Sequence, residues 1–291
     1  MKTISFEAIG TAWEVELFSD LKDHGGERLK KLEASISQRI ETYDKTYSRF
    51  RSDSLVTTMS QGVGEYTLPP DSEKLFTCYR SLYVTTGGLV TPLIGNLISD
   101  AGYDASYSLA PKGLSPVKDW DEVMTFQYPK LNLKAPVLLD FGAAGKGYLV
   151  DIVAEILRDH GVEAFCVDAG GDILYRNTAE PLRVGLENPD AEDEVIGVAT
   201  ITEGSICASA GNRRKWGTFT HIINPITKQS PTDIKATWVV AESGLLADGL
   251  ATALSFTPAA ELMETFSFSY ALIRDGGTIE SSRDFPAEFF T

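Results

Sequence analysis

Asp248 and Thr252 lie four residues apart in the segment Leu245-Leu-Ala-Asp-Gly-Leu-Ala-Thr-Ala-Leu254, so a helix there puts a carboxylate and a hydroxyl on one face. Almost everything around them is small or apolar, and a carboxylate in such a setting needs a partner. Two readings are open. Backbone groups satisfy Asp248 while Thr252 bonds back to its own helix, or the pair supplies hard oxygen ligands to Mg²⁺, which takes few protein oxygens and completes its shell with water and substrate phosphate.

A second candidate is the turn Gly142-Ala-Ala-Gly-Lys-Gly147, which follows Asp140 and leads into a helix. Small residues at a helix N-terminus let backbone N–H groups approach a phosphate, and Lys146 would add a positive charge. The spacing is not that of a Walker A loop, because Gly142 and Gly145 are separated by only two residues and Gly147 follows Lys146. It is not the dinucleotide fingerprint either, since Val150 stands where the third glycine belongs. A tight strand-to-helix connection and an anion cradle both remain open.

A third candidate runs from Ser205 to Pro225 and contains Ser209-Ala-Gly-Asn-Arg-Arg214 and Thr220-His-Ile-Ile-Asn-Pro225. Hydroxyl, flexible backbone and basic charge suit a phosphate or ribose contact. His221, one of three histidines, reads as a catalytic base or as a satisfied structural imidazole. Asp168 and Asp172 flank Gly170-Gly171, where turn capping accounts for both acids. Tyr43, Tyr47 and Phe50 stud a polar loop and either stack a planar ring or pack a helix end. No Ser-His-Asp order or G-x-S-x-G elbow is present to suggest a triad hydrolase.

The elements that must carry these residues follow from periodicity. The alternation in MKTISFEAIGTAWEVELF predicts a strand. Leu29, Leu32, Ile36 and Ile40 predict a helix running into Tyr43, followed by a loop TYDKTYSRFRSDS. Pro69-Pro70-Asp71 and Gly87-Gly88 bracket a second helix, and residues 101–120 read as loop. Pro136–Leu139 reads as a short buried strand, and Val150, Val153, Ile156 and Leu157 mark the helix that Gly161 closes. Strands are expected at 164–167, 173–175, 182–186, 195–201, 236–241 and 270–273, with a helix at about 245–256 and a helical turn from Pro258. With no repeat or linker, one α+β domain over residues 1–291 is the expectation.

Composition narrows the function. The 291 residues are 43% hydrophobic and 23% charged, as in an ordinary globular protein. A formal net charge of −15 repels polyphosphate backbones, which argues against nucleic-acid or anionic-membrane binding and requires any phosphate ligand to be held locally. No apolar run approaches the roughly 20 residues of a membrane span, and the N-terminus lacks the apolar core of a signal peptide, so a soluble, cytoplasmic protein is expected. Cys78, Cys166 and Cys207, without a CxxC, suggest buried thiols rather than disulfides or zinc.

In order along nearly the whole chain, these segments resemble the ApbE family, the FAD:protein FMN transferases. LDFGAAGKGYLVD is similar to the family's I-D-L-G-G-I-A-K-G-Y-x-V-D block, and VDAGGDI to its strand-Gly-Gly turn. SAGNRR and THIINPITKQSP are similar to T-S-G-x-x-R and S-H-I-I-D-P-x-T-G-x-P, and LLADGLATAL to E-A-D-A-L-A-T-A-L. The resemblance implies a large α+β domain related to the T-fold, with mixed sheets and packed helices. It implies that FAD is a substrate bound with Mg²⁺ and that FMN passes to a Thr or Ser hydroxyl of a partner flavoprotein, releasing AMP.

By position, the resemblance puts the metal between the Ala143 carbonyl and the Asp248 and Thr252 side chains, with Asp140 and Lys146 near the FAD. Tyr43 would lie in the flavin pocket, and Leu89, Val90, Thr91, His221 and Ile223 would line the nucleotide site, with Ser209 and Arg214 beside them. Asp248 and His221 are the candidates for the reacting centre. Two departures stand out: Gly88-Leu-Val-Thr-Pro92 replaces G-A-F-D-P, and Ser48-Arg-Phe-Arg51 replaces S-R-F-N. The family's usual export signal or lipoprotein cysteine is not seen, which points to a cytoplasmic acceptor. The alternatives to transfer are Mg²⁺-dependent hydrolysis of FAD to FMN and AMP, and FAD binding without turnover.

Overall fold

The computed structural model describes residues 2–18, 26–177 and 179–290; Met1 and Thr291 of the expected 1–291 domain lie outside them. The alternating N-terminal segment folds into two strands, β1 (Lys2–Ala8) and β2 (Thr11–Leu17), because Ile9 and Gly10 take positive φ and reverse the chain. Helix α1 (Glu27–Tyr47) does not stop at Tyr43: Tyr43 and Tyr47 continue the stripe of Leu32 and Ile36, so much of the expected loop is helical.

Then follow α2 (Leu55–Met59), β3 (Gly64–Thr67) and α3 (Ser72–Thr85), the last within its Pro-Pro-Asp and Gly-Gly brackets. A 3₁₀ turn (Pro92–Ile94) leads to α4 (Gly95–Asp100), and a long connection leads to α5 (Trp120–Val123), β4 (Met124–Gln127) and β5 (Lys130–Leu133). Pro136–Leu139 is not a strand. Its backbone is satisfied by the distant segment of residues 92–96 instead, with Leu138 N donating to Asn96 Oδ1 at 3.3 Å and Asp140 N to the Pro92 carbonyl at 2.8 Å.

Helix α6 (Gly145–Asp159) follows, then β6 (Phe165–Asp168), β7 (Ile173–Arg176), β8 (Leu182–Asn188) and β9 (Ala191–Ile201). The Ser209 region proves to be strand β10 (Glu203–Ala210), followed by the short β11 (Lys215–Trp216) and β12 (Phe219–Thr220). The chain closes with β13 (Ile234–Ala241), α7 (Gly244–Ala253), α8 (Ala259–Met263), β14 (Ser269–Arg274), β15 (Ile279–Ser281) and β16 (Ala287–Phe289).

An eight-stranded sheet in the order β1-β2-β6-β7-β10-β13-β14-β15 organises this α+β fold. Among the described residues every strand pairing is antiparallel, where mixed sheets are the expectation. The two-residue side-chain period sorts the sheet faces. Val15, Val167, Cys207 and Val239 join the core built with α1, α3, α6 and α7, which draws on residues from Ile4 to Leu272. Cys166, Ile206 and Trp238 point the other way, onto Leu186, Ala199 and Ile201 of the β16-β9-β8 sheet. Cys166 and Cys207 are buried, Cys78 is half-buried, and none is paired.

Candidate functional site

Helices α6 and α7 pack side by side and antiparallel, the start of α7 against Asp151 and its last turn against Ala143. Gly147 N donates to Asp248 Oδ2 at 2.9 Å, and a Cβ at Gly147 would lie 2.1 Å from the Gly244 carbonyl oxygen, so the two backbones can approach this closely only with glycine at that position. Asp151, one turn along α6, accepts from Gly244 N at 2.7 Å and Leu245 N at 2.9 Å and so caps α7 from outside. Burial pushes the Asp151 carboxyl up to about 6, against the pull of those two backbone donors.

This junction places Asp248, only 6% exposed, at the floor of a cavity of about 480 Å³. Thr252 Oγ1 donates not to its own helix but across the junction to the Ala143 carbonyl at 3.3 Å, 109 residues away in sequence. A carbonyl, a carboxylate and a hydroxyl, all hard oxygen donors, thus face one space. Among the described residues no group of three or more His, Cys, Asp or Glu side chains could hold a metal, so any cation here relies on backbone and hydroxyl oxygen as well as Asp248. That donor set fits Mg²⁺ or another hard cation and does not fit zinc. Burial, then the neighbouring Asp172 charge, raises the Asp248 carboxyl well above the ordinary carboxylate range.

Leu89, Val90, Thr91, Asp140, Lys146, Ser209, Arg214, His221 and Ile223 line the same cavity. Several of them have structural partners there. Asp140 is fully engaged, one oxygen accepting from Gly142 N at 2.7 Å and the other from the Arg49 guanidinium. Thr91 Oγ1 accepts from Leu93 N at 3.2 Å and caps the 3₁₀ turn. Lys146 pairs with Asp172; burial pulls its ammonium down, but the Asp172 and Asp248 carboxylates outweigh this and hold it above the ordinary lysine value. His221 N donates to the Arg214 carbonyl at 3.2 Å, and its Nδ1 is sealed from solvent without a partner. Burial, with Arg214 acting in the same direction, lowers the imidazole to about 4, so it is neutral at neutral pH.

Tyr43 is not brought to the cavity. It lies behind the glycine turn, donates to the Gly145 carbonyl at 2.8 Å and packs on Tyr47 and Tyr148, because its place on α1 continues the buried stripe. The ring from that segment that does line the cavity is Phe50, with the Arg49 guanidinium 4.1 Å from its centroid and Tyr103 packed edge-on at 5.4 Å. Arg51, the departure from S-R-F-N, turns away to Glu41, Asp44 and Asp53. Asp168 does cap its turn, accepting from Gly171 N at 2.8 Å, whereas Asp172 is a buried partner of Lys146 rather than a second cap. The pairing of Arg49 with Asp140 and of Asp172 with Lys146 is thus what spacing alone misses; its trace in the sequence is a charged residue beside Phe50 and one beside Gly171.

The sequence model described as the ApbE family matches residues 9–271. Curated relatives named FAD:protein FMN transferase include one from Rhodobacter capsulatus, 24% identical over 86% of this chain and 50% of its own, and one from Vibrio cholerae, 22% identical over 86% and 80%. The chain therefore spans about half the length of the Rhodobacter relative. Among solved structures, the ApbE protein from Thermotoga maritima aligns with a TM-score of 0.83 at 19% identity, covering 99% of both chains. The flavin transferase ApbE from Vibrio cholerae aligns with a TM-score of 0.81 at 20% identity, covering 98% of this chain and 97% of its own. These likenesses establish the fold, and with the family model spanning most of its residues, the chain belongs to the ApbE family.

Proposed function

We propose that this protein is an FAD:protein FMN transferase that uses Mg²⁺, moving FMN from FAD to a Thr or Ser hydroxyl of a partner flavoprotein and releasing AMP. The activity named for its curated relatives supports the reading. The observation that carries it is the hydrogen bond from Thr252 to the Ala143 carbonyl beside buried Asp248, which gathers three hard oxygen donors in one cavity.

Ala143, Asp248 and Thr252 would hold the cation, which when bound offsets charge on the pyrophosphate oxygens. Lys146, with 27% of its side chain exposed, offers positive charge to the same anion. Leu89, Val90 and Ile223 give apolar walls that exclude water, and that favours an alcohol over water as the attacking nucleophile. In the overall step the acceptor oxygen bonds to the FMN phosphorus, the phosphoanhydride bond breaks to release AMP, and the hydroxyl proton passes to solvent. The buried His221 imidazole, depressed to about 4, is a weak base, so it serves first as a neutral wall of the site. Among the described residues no helix is long and apolar enough to cross a membrane.

Incubation with FAD and Mg²⁺ tests the reading. AMP release that requires a Thr-bearing acceptor is the expected result; AMP and FMN without acceptor would make the protein a pyrophosphatase, and no AMP under either condition would leave only FAD binding. Asp248→Ala is expected to abolish the Mg²⁺ dependence, and full Mg²⁺-stimulated activity in that variant would remove Asp248 from the cation site.

A further inference from the structure

Two buried carboxylates, Asp172 and Asp248, lie near Lys146 at the head of α6, and among the described residues Asp172 is the one in ion-pair contact with its ammonium. Asp172 ends the turn between β6 and β7, where Gly170 and Gly171 adopt φ of 68° and 100°, Asp168 holds Gly171 N, and Ala169 N donates to the Asp172 carbonyl at 2.9 Å. The turn folds the Asp172 side chain inward until only 1% of it is exposed, and there it accepts from Lys146 Nζ. Asp248 meets α6 through backbone instead, accepting from Gly147 N, one residue beyond Lys146. Both carboxylates act on the Lys146 charge. A lysine ammonium is a point charge on a flexible stem and moves to whichever anion is in reach.

We propose that Asp172 is a positioning residue that holds the Lys146 ammonium off Asp248, leaving the Asp248 carboxylate to a divalent cation while the ammonium stays in the cavity for an anionic substrate. The proposal rests on Ala143, Asp248 and Thr252 being the cation donors. A cation and an ammonium both attracted to Asp248 exclude one another unless a second carboxylate takes the ammonium, and Asp172 is the buried carboxylate that Lys146 contacts. The Gly170-Gly171 turn thereby acquires a purpose beyond reversing the chain.

Loss of the Asp172 charge alone would weaken cation binding by the same factor whatever residue stands at 146, whereas relocation of an ammonium requires the lysine. A double-mutant cycle separates the two. Mn²⁺ is the probe, its free concentration read by electron paramagnetic resonance with the full chain and no FAD. Asp172→Asn is expected to weaken Mn²⁺ binding about tenfold in the wild-type background, and to change it less than about threefold in a Lys146→Met background. Asp172→Glu, which keeps the charge, is expected to stay within about threefold of wild type. Equal losses in both backgrounds, or no loss in either, overturn the proposal. Asp172→Ser completes the cycle if the amide variant does not fold. A wild-type chain that binds no Mn²⁺, or an Asp248→Ala variant that binds it as tightly, instead overturns the donor assignment itself and the proposal with it.

Discussion

His221 carries a directly measurable signature of the site. A free imidazole titrates near 6.5, whereas burial and Arg214 take this one to about 4. On acidification the unfolded chain therefore binds the proton first, so the stability that a neutral His221 contributes at pH 7 is lost as pH falls from about 6.5 towards about 4. NMR titration of the ring is expected to give a midpoint near the lower value; a midpoint near 6.5 would show the imidazole to be open to solvent. Tyr43 provides the contrasting case. Tyr43→Phe removes one buried hydrogen bond, to the Gly145 carbonyl, at a cost of about 1 kcal/mol in denaturant unfolding, and is expected to leave FAD affinity within about twofold. A large loss of FAD affinity with unchanged stability would place the tyrosine in the binding site after all.

At the scale of elements, the junction of α6 with α7 carries the site, and the fit is tight. Gly147→Ala would drive a methyl into the Gly244 carbonyl and Asp248 Cβ, at 2.1 Å and 2.7 Å, and is expected to lower stability by about 2 kcal/mol or more in urea titration. An unchanged midpoint would mean that the helices are not in contact there. The junction was partly legible in the sequence, since four-residue spacing puts Asp248 and Thr252 on one face and the glycines of 142–147 announce a close approach. The bonds across it were not. Asp172 to Lys146 and Arg49 to Asp140 join residues 26 and 91 apart, and nothing in the local pattern of either partner encodes the other. The run Pro136–Leu139 misled for a related reason: Val137 and Leu139 are buried, but the backbone is satisfied by Asn96 and Pro92 rather than by a neighbouring strand. Strand β10 was hidden because its small residues, Ala208, Ser209 and Ala210, carry little strand signal of their own.

For the molecule as a whole, the net charge of −15 and an anionic substrate are reconciled by locality. A negative field disfavours extended polyanions, while Lys146 and Arg214 in the cavity wall, with the oxygen donors of the proposed cation site, would serve one pyrophosphate. The large core ties the first strands to β14, and the cavity draws on the chain from Thr11 to Phe256, so the site depends on the whole fold rather than on one excisable segment. The family resemblance was legible in four separated blocks for the same reason: each block supplies one wall. What an acceptor looks like is not written in any of them, because the hydroxyl proposed to receive FMN would belong to another chain.

Intact-mass analysis of the acceptor tests the central claim most directly. After incubation of a Thr-bearing acceptor flavoprotein with this protein, FAD and Mg²⁺, the acceptor is expected to gain the mass of one covalently bound FMN, with AMP formed in equal amount, and to gain nothing when Asp248→Ala replaces the wild type. An acceptor of unchanged mass while FAD is consumed to free FMN and AMP would contradict transfer.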